Sequence, residues 1–97
     1  MRTVRWNKLA RFDYYENINY LLQIWSEKEA QNFIDKVFEI EFILANGKVE
    51  FQNTDRVGIK RCVINKQISL FYRVIDEKNI ELLRFWNNNQ NLKKINL

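Results

Sequence analysis

Residues 59–86 read IKRCVINKQISLFYRVIDEKNIELLRFW, and this stretch decides the fold. Three runs rich in β-branched and aromatic residues, 59–64 (IKRCVI), 67–75 (QISLFYRVI) and 80–86 (IELLRFW), alternate with short polar breaks. Such runs suit a pleated, half-buried surface. Asn65-Lys66 is short enough for a tight hairpin, with Asn accepting a positive φ. Asp76-Glu77-Lys78-Asn79 reads as a four-residue hairpin loop. The spacing predicts an antiparallel meander of three strands. Alternation gives the middle strand two sides. Ile68, Leu70, Tyr72 and Val74 suit a core, and Gln67, Ser69, Phe71, Arg73 and Ile75 suit an open face. In the preceding strand Lys60 and Cys62 oppose Arg61 and Val63, and hairpin register decides which pair joins which face. A face holding Lys60, Ser69, Phe71 and Arg73 would set cations beside an aromatic platform, as nucleic-acid binders do. The competing reading packs Phe71 under the C-terminal tail and leaves the cations as edge solubilisers.

Upstream of the meander the period changes. Thr3–Trp6 reads as a short opening strand. From about Leu9, Ala10, Tyr14, Ile18, Leu21 and Trp25 recur at three- and four-residue steps, one face of a helix. Ser26 and Glu29 form the S-x-x-E capping box that starts a second helix. Ala30, Phe33, Ile34, Val37, Ile40, Glu41 and Leu44 follow at helical spacing, with only Glu41 polar, and Asn46-Gly47 ends the run with a left-handed C′ glycine. Two helices joined at Trp25-Ser26 make a helical hairpin. Residues 48–58 read as a loop, with an edge segment near Val49–Phe51. Downstream, 87–97 (NNNQNLKKINL) is a polar tail whose Leu92, Ile95 and Leu97 are spaced for docking. The expectation is one α+β domain over residues 1–97, ordered β-α-α-β-β-β. The helical hairpin covers one face of a mostly antiparallel sheet and leaves the other partly open.

The 97 residues hold 16 Lys+Arg, 12 Asp+Glu, no His, no Pro and one Cys. Without His, histidine triads and His general bases are excluded, and a zinc site would rest on Cys62 and carboxylates alone. No metal and no cofactor is expected. A single cysteine excludes a disulfide scaffold and suits a reducing compartment. No window of about 18 apolar residues exists, so no membrane span is expected. MRTVRWNKLARF lacks the apolar run of a signal peptide, and a cytoplasmic protein follows. The net charge of +4 hides a division: residues 9–46 carry three cations and seven anions, a net of −4, and the remainder 13 cations and five anions, a net of +8. An acidic helical layer and a basic sheet layer point to a polyanionic or acidic partner at the sheet.

Trp6, DYYENINYLLQIWSEKEAQNFIDKV, VGIKRCVINKQISLFYRVID and IELLRFWNNNQNLKKI together resemble the RelE/ParE superfamily of bacterial toxins over about residues 4–95. The most specific parts are the YL-x(3)-WS junction at Tyr20–Ser26 and the LFYRV strand followed by a hydrophobic strand and a polar tail. The resemblance implies a type II toxin neutralised by a cognate antitoxin. It also implies a target that is either ribosome-bound messenger RNA, which RelE-like members cut, or DNA gyrase, which ParE-like members inhibit. The cutting branch uses two lysines on the first strand of the meander, an arginine on the middle strand, an arginine past the last strand and a tail tyrosine. Carried onto this chain, the first lysine falls on Lys60 and is kept. The second falls on Cys62, the arginines on Ser69 and Asn89, and the tyrosine on Ile95. The histidine used near Asn87 in some branches is absent. Four of five positions depart, which turns the expectation toward a toxin that binds gyrase. A nuclease, or a family member that only binds its antitoxin, is the alternative. Lys60, Arg61 and Arg73 are the candidate catalytic residues. Lys60, Arg61, Phe71, Arg73, Arg84, Asn87 and Asn89 are the candidates for binding target or phosphate. Strand arginines pair bidentately with phosphate or carboxylate, or lie over the sheet with their heads in water. Trp86 reads as a cap on the core, Cys62 as a strand residue without an activating neighbour, and Asp76-Glu77 as a turn rather than a metal site.

Overall fold

In the computed structural model the described residues are all but Lys48, Val49, Asn91 and Asn96. Strand β1 spans Thr3–Trp6, helix α1 Lys8–Ile24 and helix α2 Glu27–Asn46. Strands β2 (Gln52–Asn53), β3 (Ile59–Val63), β4 (Ile68–Asp76) and β5 (Asn79–Asn87) follow, and a 3₁₀ turn covers Leu92–Lys94. The sheet has the order β1-β5-β4-β3-β2. Only β1 runs parallel to its neighbour β5; the other pairs are antiparallel. No helix among the described residues is long and apolar enough to cross a membrane.

The caps explain where the helices begin and end. Asn7 starts α1, its side-chain oxygen accepting from the Ala10 N–H, and Ser26 starts α2 by accepting from the Glu29 N–H, each satisfying a first-turn donor. Gly47 closes α2 at φ +85°, a conformation that penalises any side chain. The apolar stripe of α2 is as expected: Ala30, Phe33, Val37, Ile40 and Leu44 are buried. Glu41 at its margin accepts from Trp6 Nε1 at 2.9 Å.

The stripe of α1 holds at Ala10 and Leu21, with Tyr14 and Ile18 partly buried against the core, and fails at Trp25. Trp25 is 55% exposed and is the residue at which the helix ends. The buried positions are Ala10, Asp13, Asn17 and Leu21. Sheet topology supplies the reason. β1 pairs with β5 only as far as Leu82, so beyond that point β5 lacks an outer strand. Asp13 and Asn17, one helical turn apart, replace it. Asp13 Oδ2 accepts from the Phe85 N–H at 3.1 Å, and Asn17 Nδ2 donates to the Phe85 C=O at 3.0 Å. Two buried backbone groups are thereby satisfied.

The turns also differ in detail. Among the described residues none other than glycine has a positive φ, so Asn65 closes the β3–β4 turn through its side chain. Its Oδ1 accepts from the N–H groups of Gln67 and Ile68, both at 2.8 Å. Asp76 does the same at the β4–β5 turn, accepting from the Lys78 N–H at 2.7 Å. The edge segment expected near Val49–Phe51 falls at Gln52–Asn53, and Val49 lies outside the described residues. The helix-side core joins α1 and α2 to Cys62, Leu70, Tyr72, Ile80, Leu82 and Phe85. A second cluster on the opposite face joins Phe71, Trp86 and Ile95, with Ile59 and Leu97 beside them. The tail therefore docks on the face expected to be partly open, and Phe71 packs under it, as the competing reading has it.

Candidate functional site: a groove on the open sheet face

Register settles which strand residues share a face. Cys62 pairs with Leu70 and Lys60 with Tyr72, while Arg61 pairs with Phe71 and Val63 with Ser69. Lys60 and Cys62 thus lie on the helix side, and Arg61 stands on the face of Ser69 and Phe71. The face imagined around Lys60 is built around Arg61 instead. The physical reason is the two-residue period of a strand: a slip of one position exchanges the two sides. Lys60 Nζ donates to Asn53 Oδ1 at 2.7 Å and lies 3.9 Å from Glu50.

Arg61 is held in a fixed frame. Its Nε donates to Ser69 Oγ at 3.1 Å and its Nη2 to Asn88 Oδ1 at 3.3 Å. Ser69 Oγ in turn donates to the same Asn88 oxygen at 2.9 Å, which closes a three-residue network. The guanidinium carbon sits 5.8 Å from the centre of the Phe71 ring, within range of cation–π attraction. These bonds occupy two of the five N–H donors that a guanidinium carries, and Arg61 also lines the groove described next. Ser69 is fully buried and Phe71 is 5% exposed. Phe71 is thus the floor under Arg61 and the tail, and not a stacking platform open to a base.

Around this frame runs a groove of about 540 Å³, lined by residues 52–56, Arg61, Phe71, Lys93, Ile95 and Leu97. The β2–β3 loop forms one wall, and Thr54 shapes it. Its hydroxyl donates to the Ile59 C=O at 2.8 Å and accepts from the Arg56 N–H at 3.1 Å. The other wall is the tail. Three cations, Arg56, Arg61 and Lys93, line the groove against one carboxylate, Asp55. It can hold an anion or an acidic segment. Among the described residues its lining has no tyrosine, and the chain has no histidine; Asp55 and Lys93 are the titratable groups other than arginine that line it.

The remaining candidates lie elsewhere. Arg73 is on the open face, but its Nη2 is 2.6 Å from Glu81. Arg84 reaches past the free edge of β5 to Asp13, with bidentate contacts of 2.6 and 3.0 Å, and lies 5.1 Å from the Trp86 ring centre. Its fork is committed within the fold. Asn87 accepts from the Asn89 N–H at 2.9 Å and, with Arg84, lines a separate depression against α1. Asn89 is exposed. Trp86 is buried, as expected of a core cap, with its Nε1 lacking a hydrogen-bond partner among the described residues. Burial raises the Cys62 thiol to about 11, the opposite of an activated nucleophile. Among the described residues no three His, Cys, Asp or Glu side chains gather to hold a metal ion.

Sequence reasoning missed Asn88 and Arg56. Asn88 lies inside the Asn87-Asn88-Asn89 run of the polar tail, of which only Asn87 and Asn89 were candidates. The one available signal was its place just past β5, opposite the start of β4.

No family model and no curated relative matches the chain. Solved structures do. A chain of the chromosomal ParDE TA system from P. aeruginosa is 17% identical with a TM-score of 0.68, covering 90% of this chain and 96% of that one. A copper-bound mutant toxin from Helicobacter pylori is 18% identical with a TM-score of 0.66, covering 92% and 97%. The E. coli DinJ-YafQ complex contributes a chain 11% identical with a TM-score of 0.61, covering 92% and 96%. At these identities the likeness concerns the backbone, and it extends over nearly the full length of both partners. One strand, two helices and then strands β2 to β5 in a mixed sheet make the RelE/ParE-like α+β fold, and this chain has that fold.

Proposed function

We propose that this chain is the toxin of a type II toxin–antitoxin module, acting in the cytoplasm and held inactive by a cognate antitoxin. It acts by binding its target, with DNA gyrase as the target class, and not by efficient RNA hydrolysis. One observation carries the binding reading: the groove keeps a rigidly framed arginine but has neither histidine nor tyrosine in its lining. Ile95, at the position of the tail tyrosine, is buried against Phe71 and Trp86. The antitoxin part draws support from the likeness to chains of the ParDE system and of the DinJ-YafQ complex.

A second reading, a ribosome-dependent endoribonuclease, is favoured by Arg56, Arg61 and Lys93 lining one groove. Cations there would stabilise the charge of a pentavalent phosphorane. Induced expression followed by transcript mapping separates the two. Codon-phased cuts establish the nuclease. A DNA-damage response without cuts, together with inhibition of gyrase supercoiling by the purified protein, establishes the gyrase reading. Co-purification with a small acidic partner and no growth defect at any inducer level removes the toxin claim and leaves a partner-binding protein.

A further inference from the structure

The arginines of β3, β4 and β5 carry their charge in two ways. Arg73 is paired with Glu81, and Arg84 with Asp13. Arg61 is half-buried and has no ion-pair partner among the described residues. Neutral oxygens hold it instead, Ser69 Oγ and Asn88 Oδ1. A carboxylate fixes a guanidinium and cancels its charge. A neutral acceptor fixes it and leaves the charge for something else.

Asn88 is itself pinned. It lies one residue past the end of β5. Its N–H donates to the Gln67 C=O, and its Nδ2 donates to the Lys66 C=O at 3.4 Å. Both carbonyls belong to the β3–β4 turn, which Asn65 closes through its side chain. The partners also decide which way the amide points. A guanidinium only donates and a carbonyl only accepts. The amide oxygen therefore faces Arg61 and the nitrogen faces Lys66. Ser69 follows from this: its hydroxyl gives its proton to Asn88 Oδ1 and accepts from Arg61 Nε. Ser69 is fully buried, so water does not compete for that hydroxyl. Each bond of the network has one direction only, and the order runs from the turn to Asn88 and from Asn88 to Arg61.

We propose that Asn88 is a positioning residue: anchored on the β3–β4 turn, it aims the Arg61 guanidinium at an oxyanion in the groove without neutralising it. This rests on the reading of the groove as the binding centre. Arg61 lines the groove and Asn88 does not, so Asn88 acts through Arg61. Its neutrality is as important as its oxygen. An aspartate there would offer Arg61 the same acceptor together with a cancelling charge.

The test is a titration of the isotope-labelled full chain with inorganic phosphate at fixed ionic strength. It is followed by NMR at the Arg61 Nε–Hε signal. In the wild type that signal is expected to be protected from exchange with water and to shift as phosphate binds. Asn88→Ala should speed the exchange and weaken binding about tenfold, through loss of a bond to a charged group and of its preorganisation. Asn88→Asp keeps the acceptor oxygen and serves where Asn88→Ala fails to fold. It should keep the signal protected and still weaken binding about tenfold, because the added carboxylate cancels the charge. A purely structural role would not separate protection from affinity in this way. Wild-type affinity in either variant overturns the proposal. So does weakened binding by Asn88→Ala with Nε–Hε exchange unchanged, or a wild-type Arg61 signal that phosphate does not move. The toxin reading fails separately: a wild type that binds phosphate through Arg61 but does not arrest growth removes that reading and leaves this one standing.

Discussion

Arg61, Lys60 and Arg73 look interchangeable along the sequence, and their surroundings separate them. Lys60 is turned to the helix side, Arg73 is paired with Glu81, and Arg61 faces the groove from a frame of Ser69 and Asn88. Of the three single alanine variants, only Arg61→Ala is expected to reduce toxicity in cells, with Lys60→Ala and Arg73→Ala close to wild type in an induction assay. At the far edge of β5, Asp13 neutralises Arg84 and accepts the Phe85 N–H. Asp13→Ala leaves a largely buried guanidinium and a backbone donor without partners and should cost about 3 kcal/mol in urea unfolding. Asn17→Ala, which loses a neutral bond, should cost about 1 kcal/mol. Cys62 gives a pH prediction. Burial holds its thiol at about 11 in the folded chain against an ordinary value of 9.0. The unfolded state therefore gives up its proton first, and the stabilisation present below pH 9 is lost as the pH rises toward 11. Tyr72 and Tyr14, both also raised by burial, act in the same direction. Native protein at pH 8 should resist alkylation at Cys62, while denatured protein reacts at once.

At the scale of elements, most of the fold can be read from period and punctuation. The change from helical spacing to two-residue alternation near residue 59 separates the layers. Ser26 and Gly47 bound α2 as such residues should. Three things could not be read, each for a physical reason. Strand alternation fixes two sides but not their orientation, so the choice between Lys60 and Arg61 needed the register of the β3–β4 hairpin. Periodicity counts apolar positions, so it overlooked Asp13 and Asn17, polar residues buried because β1 is too short to cover β5. The choice between an open Phe71 and one packed under the tail was left undecided, because Ile95 and Leu97 dock on Phe71 and Trp86 only once β4 and β5 have brought those two together. The tail is thus a structural element. Ile95→Asp should release it, exposing Trp86 to water with a red-shifted tryptophan emission, at a cost of about 2 kcal/mol. Ser26→Ala, which removes the cap of α2, should cost about 1 kcal/mol in the same unfolding assay.

For the whole molecule, the net charge of +4 is less informative than its division into an acidic helical layer and a basic remainder. The groove, with Arg56, Arg61 and Lys93, lies on the basic side. The fold matches chains of the ParDE and DinJ-YafQ systems over more than nine-tenths of their length, while the described lining of the groove has neither histidine nor tyrosine. A binding function centred on one arginine, carried on the backbone shared with these chains, is the reading proposed here for these facts. Growth after induction tests it most directly, comparing wild type with Arg61→Ala at matched levels of soluble protein. The predicted result is arrest by the wild type, relief by Arg61→Ala, and no codon-phased transcript cuts in either. Arrest undiminished in Arg61→Ala, or phased cuts with the wild type, would contradict it.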